Sequence, residues 1–304
     1  MSNLTTILAG LGISDLHTPD ATLVTITPEV AQCFLDSQKA NRNRNLDRVH
    51  RYQRDMETPG SWEVTGESII IATSDTESPS MIDGQHRCAA CVAAGVPFKT
   101  FVVTGVGQKA QINVDQGASR TKTSQLQILG HARPGPLAAT ATALWKLNYN
   151  RNGIGRRPQT PSIPEILRLL KSEPDIRECL EKIYAIPASP TNIRSSVGVI
   201  TAMYVLMRRH NAELADAFWT KFYTGENCPP GDPAQALRNK FLSMRLQGNT
   251  IQAPELVTWI AYAWRTAVRG TTMSRIHPKL RCPNFPGMPD SWADDGKKGL
   301  ERKK

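Results

Sequence analysis

The five consecutive residues Asp83 to Arg87 bring together an acid, a glycine, an amide, an imidazole and a guanidinium. Apolar residues precede them and an alanine-rich stretch follows, which predicts a turn between a strand and a helix. Such a turn can bind phosphate, because Gly84 lets the backbone approach and the first helical N–H groups point outward with the helix dipole. His86 and Arg87 add donors. The alternative is an ordinary turn in which Asp83 caps the helix and the other side chains are surface charges.

Two acids close to this turn can take part in chemistry. Glu67 and Asp83 are the carboxylates nearest to it in the sequence, and each can hold Mg²⁺ or act as a base. We expect Asp83, with His86, to be catalytic. An acid next to a turn more often only caps the helix or pairs with arginine.

A polar loop further along carries a second set of candidates. It contains Asp115, Gly117 and Arg120 and opens a helix. Such a loop can close over the base, sugar or phosphates of a nucleotide, and it can equally be a simple helix entry. Cys88 and Cys91 have the spacing of a zinc or redox pair, but no second such pair exists in the sequence, and we interpret both as small core residues.

These residues lie in a segment with both helix and strand patterns. Helices are expected at 28–40 and 46–56, strands at 69–72, 81–82 and 98–103, and a helix at 88–94. Beyond residue 120 the patterns are helical, at 121–130, 134–150, 162–171, 173–185, 193–210, 213–224, 233–246 and 253–268. The fold class expected is therefore α+β, with a first domain at 25–130, an all-α domain at 134–275 and an irregular strap with a basic tail at 276–304.

Composition limits the partners and the compartment. The formal net charge is +10, which favours polyanions such as DNA or nucleotides. No basic N-terminal signal and no long apolar run is present, so neither secretion nor a membrane partner is expected. Six cysteines in 304 residues are typical of reduced thiols, which indicates a cytoplasmic location.

The turn also resembles a known signature. Asp83-Gly84-Gln85-His86-Arg87, followed by a small-residue helix, is similar to the DGQHR motif of the ParB/sulfiredoxin superfamily. Flanking residues fit as well, among them Asn43-Arg44, Trp62 and Asp115-Gln116-Gly117, so the specific match covers roughly residues 41–130. The layout beyond it is similar, more loosely, to phage and bacterial ParB-like proteins.

The resemblance implies a ParB/sulfiredoxin-like domain that binds a nucleoside triphosphate, ATP or CTP, with Mg²⁺. The nucleotide-binding residues that it implies lie in the turn, at Gly84, Gln85, His86 and Arg87, and on the preceding helix, at Asn43, Arg44 and Arg48. Sulfiredoxins carry their catalytic cysteine where this chain has Gln85, so the resemblance does not extend to sulfinic acid repair.

Three functions compete at this stage. The first is a ParB-like NTPase or phosphotransferase that acts with DNA in a phage or bacterium. The second is a DNA-binding partition or regulatory protein that nucleotide switches. The third, a nuclease, is disfavoured because the sequence offers no clustered carboxylates of the kind used in two-metal cleavage.

Overall fold

The computed structural model describes residues 4–38, 44–73, 78–113, 120–149, 159–187, 196–277 and 282–289. The chain divides into two compact units, Met1–Ser119 and Arg120–Lys304, and each has its own hydrophobic core. Within these described ranges, strands occur in the first unit and the second is helical. The expected α+β class is confirmed.

A four-stranded mixed sheet lies at the centre of the first unit. Its strands are β1 (Asp20–Ile26), β2 (Ile69–Ala72), β3 (Ser80–Asp83) and β4 (Phe98–Val106), in the order β1-β4-β2-β3. β2 pairs parallel with β4 and antiparallel with β3, while β1 pairs antiparallel with β4. Because β3 and β4 lie on opposite sides of β2, the helical connection between them crosses β2.

Helices cover the sheet of the first unit. They are α1 (Leu4–Gly10), α2 (Pro28–Asp36), α3 (Leu46–Glu57) and α4 (Gln85–Ala94), and a 3₁₀ helix follows β4 at Gln108–Asn113. α4, the crossover helix, packs against both α2 and α3. Its inward residues are small, which lets the neighbouring helices approach closely: Cys88, Ala90 and Cys91 are fully buried.

The first unit begins earlier in the chain than the expected residue 25. β1 starts at Asp20, and only Val24 and Ile26 within it are buried, so its alternation is too short to stand out in the sequence. Pairing with β4 stabilises the strand. α2 ends at Asp36, before the expected end near residue 40, because Ser37 caps it through a 2.7 Å hydrogen bond from its hydroxyl to the carbonyl of Phe34.

The second unit contains all eight of the expected helices, with small shifts at their ends. They are α5 (Lys122–Ile128), α6 (Pro134–Tyr149), α7 (Ile163–Ser172), α8 (Asp175–Ala185), α9 (Val197–His210), α10 (Ala212–Thr224), α11 (Pro233–Leu246) and α12 (Ala253–Val268). α5 lies within the segment 25–130 that was expected to form the first domain. Its residue Leu126 is instead fully buried in the core of the helical unit.

Aromatic side chains fill the core of the helical unit, as their helical spacing predicts. Trp219, Trp259 and Trp264 are almost completely buried, and Phe218 makes edge-to-face contacts with Trp219 and Trp264. Such contacts add to the hydrophobic gain of burying the rings. None of the described helices has the length and apolar content that a membrane span needs.

Candidate functional site

The turn between β3 and α4 has the tight backbone that its glycine predicts. Gly84 has φ +104°, and its N–H donates to Oδ1 of Asp83 over 2.6 Å. A Cβ at this position would lie 2.8 Å from Cγ1 of Ile69, so β2 leaves no room for a side chain. No side chain caps the N-terminus of α4 at Gly84. The turn is therefore fixed by the sheet beneath it.

The guanidinium of Arg87 is directed into the protein. Nη1 donates to the carbonyl of Glu67 and Nη2 to that of Ser68, each over 2.5 Å, and Nη2 lies 3.7 Å from Oδ2 of Asp83. Thr100 adds a hydroxyl donor to the carbonyl of Glu67. Arg87 is only 8% exposed. These contacts connect the first turn of α4 to the two residues that precede β2. The resemblance alone did not indicate this role for Arg87.

His86 joins the starts of two helices. Its Nε2 accepts a hydrogen bond from the backbone N–H of Asn45 over 3.0 Å. Asn45 is the N-cap of α3, and its side chain accepts from the N–H of Arg48 over 3.1 Å. The N-terminus of α3 therefore lies beside the first turn of α4. His86, whose acceptor nitrogen is occupied by this bond, positions the two helices.

Two arginines near the N-terminus of α3 are candidates for contact with a ligand at this position. Arg44 is exposed and Arg48 half-buried, and neither guanidinium bonds to a residue within the described ranges. Arg44 directly precedes Asn45, the residue whose backbone N–H donates to His86 in the first turn of α4. The backbone at Arg44 is therefore close to the start of α4. Gln85, the first residue of α4, is buried.

The two candidate acids contact Arg87 in different ways, Asp83 through its carboxylate and Glu67 through its backbone carbonyl. The Asp83 carboxylate is 28% exposed and close to the guanidinium, whereas the side chain of Glu67 is exposed and its carbonyl accepts from Arg87. In the described part of the chain, no three or more histidine, cysteine, aspartate or glutamate side chains group together as a metal site. A Mg²⁺ ion held by Glu67 and Asp83 remains a prediction.

The structure does not test the placement of the remaining predicted site residues at the turn. Asn43, Asp115 and Gly117 lie outside the described residues. Arg120 is described, is exposed, and belongs to the second unit. The predicted closure of the loop over a nucleotide therefore stays a prediction.

The two cysteines of α4 are core residues with protonated thiols. Burial raises the pKa of Cys88 to about 12 and that of Cys91 to about 11. A nucleophilic cysteine needs the opposite shift. Both side chains are fully buried. The geometry matches their interpretation as packing residues.

A charged cluster in the helical unit was not found from the sequence. Asp216 of α10 accepts hydrogen bonds of 2.5 Å from Lys182 and from the hydroxyl of Tyr204, and Arg208 lies 3.3 Å away. Partial burial raises the pKa of Asp216, but these donors outweigh it and hold the pKa below its usual value. Burial, followed by the bond to Asp216, raises the pKa of Tyr204. Only the i,i+4 spacing of Tyr204 and Arg208 hinted at this cluster, which joins α8, α9 and α10.

Comparison of the chain with protein-family models, with curated proteins and with solved structures gives no match. The function therefore rests on the geometry of the chain itself.

Proposed function

We propose that the Met1–Ser119 unit is a ParB-like nucleotide-binding module that holds the phosphates of a nucleoside triphosphate beside the first turns of α3 and α4. The hydrogen bond between Asn45 and His86 carries this proposal, because it brings the N-terminal ends of two helices together. Each helix end carries a partial positive charge and backbone N–H groups without helical partners. An anion between the two ends interacts favourably with both.

Side-chain charge supports the same location. Arg44 and Arg48 stand at the start of α3, and neither forms an ion pair with a described residue. Arginine suits phosphate because its planar guanidinium can donate two parallel hydrogen bonds to phosphate oxygens. Arg87, in contrast, already donates to two carbonyls, so its part is to hold the turn in shape.

The proposed chemistry depends on Asp83 and Glu67. A triphosphate brings Mg²⁺ that takes most of its ligands from phosphate and water, with one or two protein carboxylates. The Asp83 carboxylate lies beside the Arg87 guanidinium, and Glu67, which contacts the same guanidinium through its backbone carbonyl, carries the second candidate carboxylate on an exposed side chain. The ion would neutralise charge during hydrolysis or phosphotransfer.

Calorimetric titration with ATP, CTP, GTP and UTP, with and without Mg²⁺, tests the proposal. Arg44→Ala combined with Arg48→Ala should weaken binding of the preferred nucleotide about a hundredfold, because each charged hydrogen bond contributes about 1.5–3 kcal/mol. The control is Lys99→Ala, which removes an exposed charge from β4 of the same unit. The proposal fails if no triphosphate binds, or if the double variant binds like the control.

A nucleotide-switched DNA-binding regulator is the second candidate. The contact of Asp83 with Arg87 favours it, because a carboxylate held beside a guanidinium is less free to orient an attacking water. A phosphate-release assay separates the two candidates. Binding with turnover that Asp83→Asn abolishes supports the NTPase, whereas binding without turnover supports the switch.

A further inference from the structure

The arginines of the helical unit fall into two classes. Those of the first class are engaged within the protein. Arg133, Arg208 and Arg209 pair with glutamates of the same unit at distances of 2.7–2.9 Å. Arg238 is buried and donates to the carbonyls at the end of α10. Arg208 and Arg209, which are adjacent in the sequence, are therefore already paired with acids.

Two arginines at the end of α12 belong to the second class. Arg265 and Arg269 lie one helical turn apart, and neither forms an ion pair or a side-chain hydrogen bond with a residue that the structure describes. Both line a cavity of about 490 Å³ that Asn284, Phe285 and Pro286 complete. The exposed side chain of Arg269 places this cavity in reach of solvent. Two guanidiniums and an amide thus meet at one cavity.

The far wall of this cavity is held firmly. Trp264 donates from Nε1 to the carbonyl of Pro286 over 2.9 Å, and Phe285 is 3% exposed within the core. Gly287 follows with φ +85°, and a Cβ there would lie 2.0 Å from the carbonyl oxygen of Leu206. At position 287 the segment therefore packs too closely on α9 to leave room for a side chain. A fixed wall presents Asn284 to the arginines at little entropic cost on binding.

We propose that Arg265, Arg269 and Asn284 form a binding site for the phosphodiester backbone of nucleic acid. Positions i and i+4 on a helix place side chains as neighbours, so the two arginines can act on one phosphate or on two successive ones. Asn284 supplies an amide donor of the kind that contacts phosphate in protein–DNA complexes. The site deepens the proposal of a DNA partner and uses no residue of the nucleotide site.

Two features favour a polymer over a small phosphorylated ligand. Arg275, which follows α12 in the chain, is exposed and has no partner among the described residues, so the segment after the helix adds a further positive charge. The whole chain carries a formal charge of +10, which attracts a polyanion at long range. A small ligand gains little from either feature.

The experiment measures affinity for a labelled DNA duplex by fluorescence anisotropy at several salt concentrations. It uses the full chain with Arg265→Ala and Arg269→Ala combined. The matched control combines Arg133→Ala with Arg209→Ala, which removes the same two charges from arginines that are already paired. A third variant, Arg265→Lys with Arg269→Lys, keeps the charge and loses the planar donors. Thermal unfolding and the nucleotide titration are run on every variant.

The first double variant should bind DNA about tenfold or more weakly, and its plot of log affinity against log salt should be less steep by about 1.8, since each lost phosphate contact removes about 0.9. The control should keep the slope of the unaltered protein. The lysine variant should keep the slope with reduced affinity. If the first variant loses DNA binding but binds nucleotide normally, the DNA site and the nucleotide site are distinct.

Three outcomes would overturn the inference. The first is equal loss in the control and the first variant, which would show an effect of net charge alone. The second is DNA affinity unchanged in the first variant. The third is displacement of the duplex from the unaltered protein by inorganic phosphate or a mononucleotide as readily as by unlabelled DNA, which would identify a small phosphorylated ligand. If the first variant does not fold, the lysine variant decides the question. Lower DNA affinity in the lysine variant would then support the site, and unchanged affinity would contradict it.

Discussion

The backbone N–H of Asn45 donates to Nε2 of His86 across 41 residues of sequence, and this one bond aligns the N-termini of α3 and α4. The N-terminal ends of two helices both carry partial positive charge and repel each other, so a directed contact such as this hydrogen bond is needed to hold them together. The arrangement resembles an anion site that the fold has prepared before any ligand binds.

Replacing His86 tests that tie. His86→Phe removes the acceptor from the N–H of Asn45, and we expect a loss of about 1 kcal/mol in the free energy of unfolding together with weaker nucleotide binding. His86→Gln keeps an acceptor and should retain most of both. His50→Phe alters an exposed residue of α3 and serves as the control. Urea denaturation and calorimetry measure the two effects; equal behaviour of His86→Phe and the control would contradict the tie.

Arg87→Ala is expected to lower stability as well as binding. The resemblance alone predicted a loss of nucleotide affinity in a folded chain, but Arg87 satisfies the carbonyls of Glu67 and Ser68 in a buried place. Removing it should cost about 3 kcal/mol or more in unfolding free energy, since charged hydrogen bonds contribute about 1.5–3 kcal/mol each. Urea denaturation of the variant beside Lys99→Ala checks this. If the variant is stable and loses only nucleotide affinity, the result would instead support a direct contact between Arg87 and phosphate.

Gly84 and Gly95, which lie at the two ends of α4, offer a matched pair of substitutions. Both have positive φ, but a Cβ at Gly84 would meet Ile69 at 2.8 Å whereas one at Gly95 meets nothing within 4 Å. Gly95→Ala should therefore cost about 1 kcal/mol from backbone strain, and Gly84→Ala clearly more. Thermal or chemical unfolding of the two variants compares them directly. Equal costs would show that β2 yields to the added methyl group.

The thiols of Cys88 and Cys91 should resist alkylation in the native protein. With pKa values of about 12 and about 11, roughly one in a thousand or fewer are thiolate at pH 8, and both are buried. Iodoacetamide labelling followed by mass spectrometry should therefore find these two unmodified until the chain is denatured. The half-buried Cys33 serves as the internal comparison. Rapid native labelling of Cys88 would contradict its place in the core.

Asp216 should make the helical unit sensitive to acid. Its pKa is lowered in the folded state, so its stabilising effect is present above the ordinary aspartate pKa of about 3.9 and is lost as the pH falls through the lower folded value. Asp216→Asn should lower stability at neutral pH and flatten this acid-dependent loss. Tryptophan fluorescence during unfolding follows the unit through Trp219, Trp259 and Trp264. Glu226→Gln, at an exposed position, should leave the pH profile unchanged.

Local patterns in the sequence determined most of the elements and the place of the turn. The eight helices of the second unit, β2, β3, β4 and the glycine turn before α4 are all visible there, because apolar periodicity, caps and glycine act over a few residues. The need for glycine at position 84 follows from the turn pattern, whereas the contact with Ile69 of β2 that also excludes a side chain there is seen only in the tertiary structure. β1 escaped notice because its two buried residues give too little alternation.

Only the tertiary structure decided what the charged side chains of the turn do. The same Arg87 could have gripped a phosphate or a backbone, and the choice depends on the carbonyls of Glu67 and Ser68, about 20 residues away, which the sheet brings beneath it. Likewise, helix packing decides that Arg208 and Arg209 pair with glutamates, whereas Arg265 and Arg269 have no ion-pair partner in the part of the chain that the structure describes. Residue types fix which bonds a side chain can make, whereas long-range packing selects the partner, because neighbours distant in sequence leave no periodic trace.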